Sequence, residues 1–171
     1  MASVFKFRRK LYSMNTFKMK LSDLALEFGV QFPEDFKTLA RLENSLDTDL
    51  HYWAVSTPGI YMTAPTIMIY NELQGHKKIL PILVDNSGSV ILHWNLKDGT
   101  YSYNGTILKG DMPLVNVLLN QLDKSMGSAM RTADDPEVDG GAVEVLKQDL
   151  TNYQMYRDLL VQAFGLQVPQ Q

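Results

Sequence analysis

The residues able to do chemistry are few and scattered. His51, His76 and His93 stand 25 and 17 residues apart, so no two share the i, i+4 spacing that aims two imidazoles at one metal ion from a helix. Each reads as a structural or surface histidine. Asp85, His93 and Asp98 lie near two turns and are the one grouping that suggests an acid–base site. Asp135-Pro136-Glu137-Val138-Asp139-Gly140 matches the opening half of a calcium loop, with acids at alternate positions and glycine at the sixth. The twelfth position, where a bidentate glutamate closes such a loop, is Leu146, so a solvated linker is expected there and no metal. Glu34 and Asp35 are adjacent carboxylates, but neighbours on a helix point about 100° apart and do not converge on one substrate atom. They are expected to stabilise a helix start.

Common catalytic signatures are missing: no G-x-S-x-G elbow, no phosphate loop, no G-x-G-x-x-G and no H-E-x-x-H. The absence of cysteine excludes thiolate catalysis, disulfides and Cys-based zinc sites. No catalytic residue and no cofactor is therefore assigned, and a non-enzymatic binding role is expected. Its candidate residues are Trp53 and His51, in an aromatic segment that also holds Tyr52, together with Asp85 and Asp98 on turns. A large exposed aromatic is the usual anchor of a protein interface, which is why Trp53 leads this set, although burial in the core is the first reading for it.

These residues need elements to position them. Leu21, Leu24, Ala25 and Phe28 recur at i, i+3, i+4 and i+7 before Gly29, the pattern of a short amphipathic helix with a glycine cap. Phe32-Pro33-Glu34-Asp35-Phe36 opens a second helix to about Leu46, with acids in the first turn where the helix dipole favours them. From Leu50 to Tyr70, aromatic and β-branched residues broken by Pro58-Gly59 and Pro65 predict one or two short strands, with Pro65 favouring an edge.

Ile79 to Leu108 reads as an antiparallel meander. Turns fall at Asp85-Asn86-Ser87-Gly88, at Lys97-Asp98-Gly99 and at Asn104-Gly105, the last favouring a two-residue type I′ hairpin. Asn104-Gly105-Thr106 also matches a glycosylation sequon, but the turn explains it. Strand alternation sends Trp94 to the core and His93 to the other face.

Met112-Pro113 opens a further helix with Leu114, Val117, Leu118 and Leu122 on one face, expected to pack on the sheet. The expected organisation is a basic leader over 1–16, an α+β domain over 17–124, an acidic, glycine-bearing loop over 125–141 and an amphipathic C-terminal helix over 142–166. The seam of that last helix, Val143, Leu146, Leu150, Tyr153, Leu160 and Phe164, is interrupted by Arg157.

The net charge of −3 conceals an asymmetry, because residues 1–20 hold six basic side chains and no acid, leaving −9 on the remainder. A solvated leader is the first reading; contact with nucleic acid is confined to it, since an acidic body makes a poor phosphate platform. No apolar run approaches the roughly 20 residues of a membrane span and no signal sequence is seen, so a cytoplasmic location is expected.

The order of these elements resembles the SUKH superfamily, which includes bacterial immunity proteins, yeast cell-wall regulators and herpesviral relatives. The resemblance covers residues 17–123. It rests on the helix ending at Gly29, Phe32-Pro33-Glu34-Asp35-Phe36, Leu80-Pro81-Ile82, the Asp85–Gly88 turn, Leu92-His93-Trp94-Asn95-Leu96, Asp98-Gly99-Thr100-Tyr101 and the helix at Leu114–Leu122. Glu43-Asn44-Ser45 departs from it, where an Asn-Gly pair is typical, and the leader and C-terminal helix lie outside it.

The resemblance implies a scaffold with no shared catalytic residues, often an immunity protein that binds and blocks a toxin such as a nuclease or deaminase, or a viral protein that engages a host factor. An acidic inhibitor suits a basic nuclease through charge complementarity. Two other readings stand beside it: a regulatory scaffold that forms homo-oligomers through the C-terminal helix, and an enzyme using Asp85, His93 and Asp98.

Overall fold

A glycine in the left-handed region closes the first helix where the spacing places it. In the computed structural model, which describes residues 19–166, α1 spans Leu21–Phe28, and Gly29 at φ 64° returns its N–H to the Ala25 carbonyl. The basic leader lies outside the described residues. α2, Glu34–Ser45, begins after Pro33 and turns Phe36, Leu39 and Glu43 inward, a series at i, i+3 and i+7.

The segment from Leu50 to Tyr70 corrects the sequence reading. It holds two helices, α3 (Thr48–Ser56) and α4 (Thr66–Gln74), and only the two-residue β1 (Met62–Thr63) is extended. Asp47 caps α3 by accepting the Leu50 N–H at 2.8 Å. Leu50, Trp53 and Ala54 then recur at helical spacing and are buried. That burial outweighs the β-propensity of Tyr52, Trp53 and Val55, a preference that reflects packing context more than backbone chemistry. Pro65 does not sit in an edge strand; it follows one and starts α4.

The meander lies as expected. β2 (Ile79–Val84), β3 (Val90–Asn95), β4 (Thr100–Tyr103) and β5 (Thr106–Ile107) follow β1 in one antiparallel sheet of order β1-β2-β3-β4-β5. Asn104 and Gly105 both take positive φ, 48° and 81°, as a type I′ turn requires. A register shift between Pro81 and Leu83 lets both Ile82 and Leu83 bury completely. Trp94 pairs with Leu80 and Tyr101, with its ring 4.6 Å from that of Tyr101, and packs half-buried against the core.

α5 runs from Pro113 to Ala133, so residues 125–133 are helical where a loop was expected. Met126 and Ala129 extend the apolar series from Leu122 and pack on the core, which offsets the modest cost of Gly127 inside a helix. The connection is only 134–139. α6, Gly140–Ala163, folds back as a helical hairpin. It belongs to the core: Tyr156 and Leu160 are fully buried in the same cluster as Leu24, Phe36 and Leu80. Arg157, which interrupts the apolar seam, bonds Asp123 of α5 through Nε at 2.9 Å.

Candidate functional site

Asp85 and Asp98 prove to be turn-builders. One Asp85 oxygen accepts the Ser87 and Ser89 N–H groups at 2.9 and 3.0 Å and the Ser87 hydroxyl at 2.6 Å. The Ser87 hydroxyl, followed by those backbone groups, holds the carboxyl below its ordinary range. Asp98 receives the Asn95 side-chain amide at 3.2 Å. One aspartate precedes β3 and the other follows it, and a six-residue strand is roughly 20 Å long. His93 sits half-buried between them, paired with Pro81 and Ser102. The acid–base grouping therefore does not converge.

Trp53 is not an exposed anchor. It is buried, its ring stands edge-on to Tyr153 at 5.0 Å and 82°, and its indole N–H donates to Asp149 at 2.8 Å. The bond ties α3 to α6 and satisfies a buried donor. Because α3 is a helix, pointing Leu50, Trp53 and Ala54 inward sends His51, Tyr52 and Val55 outward. Tyr52 is 72% exposed. Trp53 is buried, as its first reading has it, and the aromatic that can meet a partner is its neighbour Tyr52, for which the helical spacing of Leu50, Trp53 and Ala54 is the signal.

Beside this surface runs a groove of about 550 Å³ between the start of α3 and α6, lined by Asp47, Thr48, Asp49, Gln148, Asn152 and Met155. Asp49 and Tyr52 are i, i+3 neighbours and share a face. Met155 is 45% exposed. Among the described residues no lysine or arginine forms an ion pair with Asp47, Asp49 or Asp149. An exposed tyrosine, a flexible thioether, side-chain amides and carboxylates make a surface suited to recognition.

One carboxyl is strongly perturbed. Glu43 of α2 is buried, and burial pushes its pKa from 4.5 up to about 7, although the hydroxyl and N–H of Thr63 pull the other way. Tyr156, also buried, faces it and is itself pushed well above its ordinary range by burial and then by the Glu43 charge. Perturbed carboxyls cluster at active sites, but Glu43 is not among the residues that wall the cleft beside it. The adjoining cleft of about 740 Å³ is walled by its neighbours Ala40, Arg41, Asn44 and Thr63. A second tether joins α2 to the sheet: the Tyr101 hydroxyl donates to Asp35 at 2.5 Å, so Asp35 does more than serve the helix start.

No family model, no curated protein and no solved structure matches the chain. Among the described residues no helix is long and apolar enough to cross a membrane, and no three His, Cys, Asp or Glu side chains group as metal ligands.

Proposed function

We propose that the protein is a non-enzymatic binding module that engages a basic protein partner through the α3–α6 face. The observation that carries this reading is Tyr52, standing exposed one turn from Asp49, with no lysine or arginine among the described residues paired to that acid or to Asp47. An aromatic anchor supplies contact area at low entropic cost, and surrounding acids steer a basic partner into place. The −9 carried by residues 21–171 acts in the same direction. A SUKH-like immunity protein inhibiting a basic toxin fits this chemistry, as does a viral protein that docks on a basic host factor. The order of α1, α2, the meander and α5 supports that family.

Self-association through the C-terminal seam is the weaker reading, because Tyr153, Tyr156 and Leu160 are buried within their own domain. The enzyme reading lacks a converged site. The test is calorimetric titration against the proteins encoded beside its gene, with wild type and with Tyr52→Ala/Asp49→Lys. The expected result is a loss of at least about tenfold in affinity with unchanged thermal unfolding. Equal affinity of the two forms removes this face from the proposal.

A further inference from the structure

In an antiparallel pair, successive N–H groups along a strand point alternately toward the partner and away from it. The Ala64 N–H reaches the Ile82 carbonyl at 2.7 Å, so the Thr63 N–H points away from β2, along the outer edge of the sheet. Glu43 receives it, with its two oxygens 3.0 and 3.2 Å from the Thr63 nitrogen, and the Thr63 hydroxyl bonds the same carboxyl. A buried side chain of α2 thereby closes the edge of β1.

The groups facing Glu43 are few. From β1 comes Thr63, and from α6 comes Tyr156, whose hydroxyl bonds the Met62 sulfur at 3.7 Å. Among the described residues no lysine, arginine or histidine forms an ion pair with Glu43. The basic residues on its own helix are turned elsewhere, Lys37 to Glu34 and Arg41 to the Thr38 hydroxyl. A protonated carboxyl fits this setting, since it can donate to the Thr63 oxygen while accepting the N–H. An ionised one is a buried charge with no counter-ion among the described residues, which is costly unless water reaches it.

We propose that Glu43 and Thr63 form a proton-held latch: protonation of Glu43 keeps the α2–β1 seam shut, and its ionisation favours opening, which frees the outer edge of β1 and widens the cleft beside it. The inference is independent of the α3–α6 face. In the shut seam the carboxyl titrates near 7, against 4.5 when solvated. The shut form therefore binds more protons between those values, and opening becomes easier as pH rises through them, levelling off above 7. Linkage gives an increase in the opening constant of about thirtyfold between pH 5.5 and 8.5.

The test is amide hydrogen exchange on the full chain, corrected for the intrinsic pH dependence of exchange. Thr63 reports the latch, and the amide of Leu92 in β3 reports the sheet. The expected result is a rise of about thirtyfold in Thr63 opening over that range, with Thr63 opening more readily than Leu92 at each pH, and a flat Thr63 response in Glu43→Gln. Unchanged Thr63 protection in wild type overturns the proposal, as do equal opening constants at Thr63 and Leu92, which mean that the seam opens only with the whole fold, or the same rise in Glu43→Gln. A carbon-detected titration of Glu43 in wild type and Thr63→Val decides independently of whether the glutamine variant folds. A midpoint near 7 in wild type that shifts when the hydroxyl is removed supports the latch, and a midpoint in the ordinary carboxylate range ends it.

Discussion

The two edges of the sheet are finished in opposite ways. At β1, the outward N–H of Thr63 is taken up by the buried carboxyl of Glu43. At β5, Thr106 and Ile107 are both exposed, Ile107 at 56%, on a strand only two residues long. Brevity is one way to keep an edge from pairing with other chains, and covering it is another. The covered edge needs a polar group inside the core, and that group ties the stability of the seam to pH. The exposed edge carries no such dependence.

The comparison breaks most sharply under substitution. Glu43→Ala removes the acceptor of the half-buried Thr63 N–H and opens a void in the core, so a loss of about 3 kcal/mol is expected in urea unfolding at pH 6. Equal stability there would show that the β1 edge needs no acceptor. Next in size is pH itself. Glu43 has a raised pKa in the folded chain, so its contribution is full below 4.5 and declines as pH rises through about 7. Unfolding free energy should therefore fall by about 2 kcal/mol between pH 5.5 and 8.5, and the difference between wild type and Glu43→Gln isolates that share.

A smaller effect tests the tether between α2 and β4. Tyr101→Phe removes the bond to Asp35 and should cost about 1–2 kcal/mol, read as a shift in the urea midpoint at constant slope. The smallest belongs to the exposed edge. Ile107→Ala should change stability by less than about 0.5 kcal/mol at any pH, and a loss comparable to that of Glu43→Ala would mean the two edges are not finished differently after all.

How far the sequence could be read follows from which constraint was local. The meander was legible because its turns need residues that tolerate positive φ, and Gly88, Gly99, Asn104 and Gly105 occupy those positions. α1 was legible through its spacing and Gly29. Residues 48–74 were not, because Tyr52, Trp53 and Val55 favour strands locally while the burial of Leu50, Trp53 and Ala54 makes α3 helical, and α4 is set by packing on β2 and α1. Residues 125–133 misled in the same way: Ser125, Gly127 and Ser128 look like a loop, whereas Met126 and Ala129 quietly continue the stripe from Leu122.

For the site, His51 lies at the surface, one of the two places expected for it, and Trp53 is buried as its first reading has it, but the exposure of Tyr52 emerges only once the segment is helical. Asp47 and Asp49 were passed over. Glu43 drew notice only as a departure from a family pattern. Its one sequence signal was position, four residues after Leu39 and seven after Phe36, on the inward stripe of α2. A charged residue on an apolar stripe reads as an error until its distant partner, Thr63, is seen.

The place of α6 in the core governs the order in which the molecule can be assembled. Phe36 and Leu39, near the beginning, finish their packing against a cluster that includes Tyr156 and Leu160, more than a hundred residues later. A chain emerging from its N-terminus can form the hairpins of the meander early, since each pairs close neighbours, while α2 waits with its apolar stripe uncovered. Contacts of such long range close slowly. During synthesis, α2 is thus the segment most in need of protection from wrong partners, and release from that need arrives only with the last helix.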